Sequence, residues 1–289
     1  MAEVRARAAS DQMESSDRRK SAPAEGLERA LAAVRVKIAA LEARGREDSE
    51  SLAFGDPRID GRLPGGGLPL GRWHEVVGDG LEMETGAAPA AFAALTATPL
   101  ARKGQVVWVV RRDDLFAPGL AGLGFPPDRL IQVCARDEAE TLSVMEDALA
   151  TVGVSAVIGE VDAVDLTAGR RLQLACEKLG GTGFVLRRRP FGGGASREGS
   201  GSAAATRWRV TPAPSEPLVG EFGLGAPRWR VALERCRGGR PGEWLMEARK
   251  AYEWGAYQWE TDDGAHPWRL VAELGDRELA SPQPLRRTG

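Results

Sequence analysis

Hydrophobic and polar positions change their period several times along the chain, and each change marks a predicted element. Between 25 and 44, Leu27, Leu31, Val34, Ile38 and Leu41 recur at steps of three and four, with Glu28, Arg35, Lys37, Glu42 and Arg44 on the opposite side. That spacing predicts one amphipathic helix, able to pack on its own domain or to dock on a neighbour. Polar residues 45–51 separate it from a stretch, about 52 to 190, in which apolar runs alternate with helical spacing. Residues 106–110 read as a continuous buried strand of the kind found in parallel sheets. Further strands fall at 73–78, 130–133, 156–159 and 183–187, and helices at 138–151 (through Leu142, Met145 and Leu149) and 167–179. Alternation of this kind implies an α/β fold, a mainly parallel twisted sheet flanked by helices through right-handed crossovers.

Beyond 190 the pattern turns over. Residues 190–205 are rich in glycine and serine and read as a flexible loop. Residues 206–210 and 228–234 alternate basic with apolar positions, as antiparallel strands with one wet face do, and 238–242 turn a hairpin that returns through 244–247. The expected plan is a disordered tail over 1–24, a helix and linker over 25–50, a core over 51–260 and a second disordered tail over 261–289, where Pro267, Pro282 and Pro284 fall.

Composition narrows the classes. A 43% hydrophobic chain of 289 residues can build a core, and a formal net charge of −2 gives no global pull toward nucleic acid or membrane. Only five of 39 basic residues are lysine; the arginine excess suits phosphate or carboxylate forks, and equally a GC-rich coding bias. Three cysteines without CxxC spacing, with only two histidines, argue for free thiols in a reducing cytosol and against a metal site. No apolar segment resembles a signal peptide or a membrane span, so a soluble cytoplasmic protein is expected.

The stretch Gly78-Asp-Gly-Leu-Glu-Met-Glu-Thr85 follows a predicted strand. A phosphate-binding loop there would read G-x-x-x-x-G-K-[ST] and wrap backbone amides and one lysine around phosphates. Counted from Gly78, Met83 stands at the second glycine and Glu84 at the lysine, while Thr85 keeps the hydroxyl that faces magnesium. A carboxylate in that seat repels a triphosphate. Pro89, tolerated only in a first helical turn, sets the next helix to begin near 86–88, away from where phosphates would sit. The expectation is a degenerate site with no nucleotide or other cofactor and no catalytic residue.

Phe54-Gly-Asp-Pro-Arg-Ile-Asp60 with Leu63-Pro-Gly-Gly-Gly-Leu-Pro-Leu-Gly71 is similar to the lead-in of RecA-family loops. Asp114-Leu-Phe-Ala-Pro-Gly-Leu120 with Gly122-Leu-Gly-Phe-Pro-Pro-Asp-Arg-Leu130 looks like that family's segment after the second strand. Asp165-Leu-Thr-Ala-Gly-Arg-Arg-Leu-Gln-Leu-Ala175 and Arg235-Cys-Arg-Gly-Gly-Arg-Pro-Gly-Glu-Trp244 are characteristic of one branch. Residues 52–250 thus resemble the RecA core, and more closely the RecA-like damage-inducible mutagenesis proteins of the ImuA type. The resemblance implies a RecA-like core carrying an antiparallel extension, and three partners: an inactive Y-family polymerase homologue of the ImuB type, RecA, and an error-prone replicative-type polymerase. It leaves homo-oligomers open and implies no membrane.

Against that pattern, the catalytic glutamate position falls among Arg111 to Asp114, and Glu160 ends the strand where a metal-directed carboxylate belongs, in a vestigial or structural role. The connection before helix 167–179 is about seven residues, too short for a first DNA-binding loop, whereas 190–205 sits where the second would be. Arg187, Arg188, Arg189, Phe191, Arg197, Arg207 and Arg209 could contact single-stranded DNA weakly through phosphates and stacking, or form a solvated strand end. Trp208, Trp229 and Trp244 read as core residues. The favoured reading is a non-catalytic accessory protein of SOS-induced translesion synthesis, with helix 25–44 (Leu27, Leu31, Val34, Ile38, Leu41) as docking element. The alternatives are a DNA-stimulated ATPase with an unusual phosphate cradle and a cell-division inhibitor.

Overall fold

A central nine-stranded sheet organises the part of the chain that the computed structural model describes, residues 50–79, 86–188, 202–217, 220, 222–249 and 266–274. These lie within the unit Ser49–Gly289. The helix expected at 25–44, with Leu27, Leu31, Val34, Ile38 and Leu41, falls outside the described residues, as do Met83, Glu84, Thr85, Arg189, Phe191 and Arg197.

A lead-in comes first. β1 (Ser51–Leu52) and β2 (Leu68–Pro69) pair as an antiparallel ribbon around the short helix α1 (Pro57–Asp60). Asp56 caps α1 by accepting from the Arg58 amide, and the Asp60 carboxylate accepts from the amides of Phe54 (2.7 Å) and Gly55 (2.9 Å). Then come β3 (Trp73–Val77), α2 (Ala87–Ala101), β4 (Gln105–Val110), α3 (Ala117–Gly122), β5 (Leu130–Cys134), α4 (Glu138–Leu149), β6 (Val154–Val161), α5 (Leu166–Leu179) and β7 (Thr182–Arg187). β8 (Thr206–Ala213), β9 (Arg228–Cys236), β10 (Gly242–Ala248) and β11 (Trp268–Glu273) complete the sheet. Its order is β11-β10-β9-β8-β3-β7-β6-β4-β5. The run from β8 to β5 is parallel, and β9, β10 and β11 add antiparallel strands at one side. This is the α/β architecture with an antiparallel extension expected of a RecA-like core.

Alternation along each strand sorts side chains onto two faces. Val106, Trp108 and Val110 join one apolar cluster with α2, and Val107 and Val109 join another with Met145 and Leu149 of α4 and Leu172 and Cys176 of α5. α2 is the buried helix: eight of its fifteen residues are alanine, which lets it lie close to the sheet, and Pro89 sits in its first turn. It begins at Ala87, inside the expected window. Its buried hydroxyls, Thr96 and Thr98, donate back to the carbonyls of Phe92 and Ala94, so burying them leaves no orphan donor. Asp137 and Asp165 cap α4 and α5, and Gly180 closes α5 in the left-handed conformation.

One expectation is corrected here. The segment after 261 does not lack fixed structure throughout: Trp268–Glu273 forms edge strand β11, paired antiparallel with β10. Pro267 sits one residue before the strand, where a missing amide costs no ladder bond. Trp268 is buried and its ring packs at a tilt against Phe54 and Phe92, joining this strand to the lead-in and α2. The core therefore runs past residue 260.

Candidate functional site at the carboxyl ends of the parallel strands

Open α/β sheets bind ligands beyond the carboxyl ends of their strands, where neighbouring connections leave toward opposite faces. Here that crevice lies between β4 and β6. The chain leaves β4 toward α3, whose Leu120 belongs to the α2 cluster, and leaves β6 toward α5, whose Leu172 belongs to the other.

Into this crevice the strands deliver one carboxylate each and a neighbouring arginine. Glu160, near the end of β6, is 0% exposed. Asp114 follows β4, and Arg188 is the residue after β7. Arg188 Nη1 donates to Glu160 Oε1 (3.0 Å) and Asp114 Oδ1 (3.1 Å), and Nη2 donates to Asp114 Oδ2 (3.0 Å). Trp108 Nε1 also donates to Glu160 Oε1, at 3.3 Å. The guanidinium holds the Asp114 carboxyl below its usual range. Burial pushes the Glu160 carboxyl up, against the pull of Arg188.

The remaining described arginines of the sequence cluster are held in the same manner. Arg187 of β7 donates to Glu75 of β3 (3.1 Å) and to the Asp162 carbonyl (2.8 Å), and both members of the Arg187–Glu75 pair are buried. Arg207 and Arg209 share Glu234 of β9, and Arg209 also lies 3.8 Å from Asp79. Farther along the extension, Glu247 takes both Arg228 and Arg269. β8 and the extension thus have one face of Trp208, Trp229, Trp244 and Trp268 in the core and one face of paired charges. Arg111 and the Asp162 amide meet on Glu138.

Gly78 follows β3 directly, and α2 starts nine residues later. The first turn of α2 is Ala-Ala-Pro with no capping side-chain hydrogen bond at Gly86. Between β6 and α5 only residues 162–165 intervene, a connection shorter than the sequence suggested because β6 continues to Val161. Glu160, the carboxylate that in a fold of this kind would face a nucleotide's metal, is buried and bound to Arg188. Among the described residues, no group of three or more histidine, cysteine or acidic side chains is placed to hold a metal. No described helix is long and apolar enough to cross a membrane. Cys134, Cys176 and Cys236 are free thiols, and burial pushes that of Cys176 up to about 12.

Sequence reasoning placed Glu160 at its strand end and named Arg188 as a DNA contact, but did not pair the two. Asp114 fell inside the window Arg111 to Asp114, but its pairing to an arginine 74 residues later had no local signature.

The fold is that of a RecA-like α/β protein, with ion pairs at the carboxyl ends of its parallel strands. No family model matches the chain. It is 59% identical over 254 residues to Protein ImuA of Caulobacter vibrioides strain NA1000 / CB15N, covering 86% of this chain and all of the relative, and equally to that of strain ATCC 19089 / CIP 103742 / CB 15. The chain belongs to the ImuA family.

Proposed function

We propose that this protein is a non-catalytic accessory component of SOS-induced translesion DNA synthesis in the cytoplasm, acting through protein–protein contacts. Membership of the ImuA family supports a place in damage-induced mutagenesis. The reading names as partners an inactive Y-family polymerase homologue, RecA and an error-prone replicative-type polymerase. One observation carries the non-catalytic part: Glu160, the carboxylate a nucleotide site would turn toward its metal, is fully buried and bound to Arg188. An acid at position 84, where a phosphate loop needs lysine, supports it from the sequence.

Helix 25–44 is the proposed docking element. The test is co-purification from DNA-damaged cells, with the whole chain and with 25–44 deleted. Loss of the polymerase homologue and RecA from the shortened but folded chain is expected; unchanged recovery of both would remove that role from the helix. The reading gives single-stranded DNA no share in Arg187 or Arg188, whose charges are matched by Glu75, Glu160 and Asp114.

A further inference from the structure

Among the described residues, two carboxylates between β4 and β6, Glu160 and Asp114, meet on one guanidinium, and that cation belongs to the chain. Oxygens of Glu160 and Asp114 lie 3.0 and 3.1 Å from a single nitrogen, Arg188 Nη1. Glu160 is 0% exposed, and its second oxygen, Oε2, has no hydrogen-bond partner among the described residues. A carboxylate so buried needs a positive charge within reach, or it does not stay ionised. The guanidinium supplies that charge while bridging the ends of three neighbouring strands, β4, β6 and β7.

We propose that Arg188 is the resident cation of a latent divalent-metal seat: while the guanidinium is in place the crevice takes no metal, and once it is removed Glu160 and Asp114 bind Mg²⁺ or Mn²⁺. This rests on the non-catalytic reading above and names what fills its site. Hard divalent cations take carboxylate oxygens and complete their shell with water, so two carboxylates suffice for a weak site. A magnesium ion at the position of Nη1 would need each oxygen to close by roughly 1 Å to reach about 2.1 Å. Asp114, partly exposed beyond the end of its strand, has room for that movement. An arginine in this seat never dissociates. The strand ends are then fixed whatever the supply of magnesium or nucleotide, as suits a scaffold and not a hydrolytic cycle.

The experiment uses the full chain as wild type, Arg188→Ala, and Arg188→Ala combined with Glu160→Gln. Thermal unfolding is followed with and without millimolar MnCl₂, and bound Mn²⁺ is counted by electron paramagnetic resonance. Manganese is expected to raise the Tm of Arg188→Ala by several degrees with one ion bound, and to leave the wild type and the double variant unmoved. If Arg188→Ala does not fold in chelator, recovery of its fold by Mn²⁺ supports the proposal equally. An Arg188→Ala chain that ignores Mn²⁺, folded or not, overturns it, and so does a double variant that responds as strongly. Failure of the underlying reading shows elsewhere, as magnesium-nucleotide binding by the wild type.

Discussion

His74 and Thr206 face each other across the β3–β8 pair with Nδ1 and Oγ1 2.8 Å apart, and the histidine is completely buried. The Pro69 carbonyl, 2.9 Å from Nε2, can only accept, so Nε2 carries the proton. Nδ1 then accepts from the Thr206 hydroxyl, whose oxygen accepts in turn from Trp208 Nε1 at 2.7 Å. Protonating Nδ1 would force the Thr206 hydroxyl to turn its own hydrogen away, and burial holds the His74 pKa down at about 4, from an ordinary 6.5.

The consequence is a pH slope in stability. The folded pKa lies below the unfolded one, so the contribution of neutral His74 is complete above about pH 6.5 and is lost as pH falls toward 4. The expected loss is about 1.4 kcal/mol per unit across that window. Urea midpoints at pH 7, 6 and 5 measure it. His74→Gln should be less stable at pH 7 but shallower in slope; equal slopes would show that His74 does not titrate as its burial requires.

Removing Glu75 takes from the buried Arg187 guanidinium the carboxylate it donates to. Glu75→Ala is expected to lose about 3–5 kcal/mol, and Glu75→Gln with Arg187→Met most of that less. Chemical denaturation of the two variants tests this. Comparable losses in both would mean that the pair serves more than charge balance.

Gly159 shows how closely α4 lies on the sheet. A Cβ built there would collide with Met145 Sδ, in a side chain with no exposure. Gly159→Ala should destabilise by about 1–3 kcal/mol through overpacking. Met145→Ala in the same chain should recover part of it, because the two residues share one space. Additive losses in the double variant would place the strain elsewhere.

Trp268 tests the corrected C-terminal boundary. Its ring lies 5.2 Å from Phe92 and 6.0 Å from Phe54, centroid to centroid. Trp268→Ala should cost about 3–5 kcal/mol, which for a domain of this size is a fall of roughly 6 °C or more in Tm. An unchanged Tm would put β11 outside the cooperative unit.

The sequence made buried strands legible because burial on both faces leaves continuous apolar runs, as in 106–110 and 156–159. It made the start of α2 legible because proline restricts where a helix can begin. The same emphasis on proline hid β11: Pro267 read as a break, while Trp268 and Leu270, alternating beyond it, carried the strand. The ion-pair web was hidden for a different reason. Periodicity reports which face a residue occupies, but not which charge on another strand it meets. Arg187, Arg188, Arg207 and Arg209 read as a basic cluster in one dimension, and as partners of Glu75, Glu160, Asp114 and Glu234 in three.

In the proposed reading, Arg188 holds the place where a nucleotide's metal would bind. Isothermal titration of the wild-type protein with ATP and magnesium tests it most directly. No heat of binding is expected, with or without single-stranded DNA. A saturable heat that disappears in Glu160→Ala, with the fold intact, would contradict it and favour the ATPase reading.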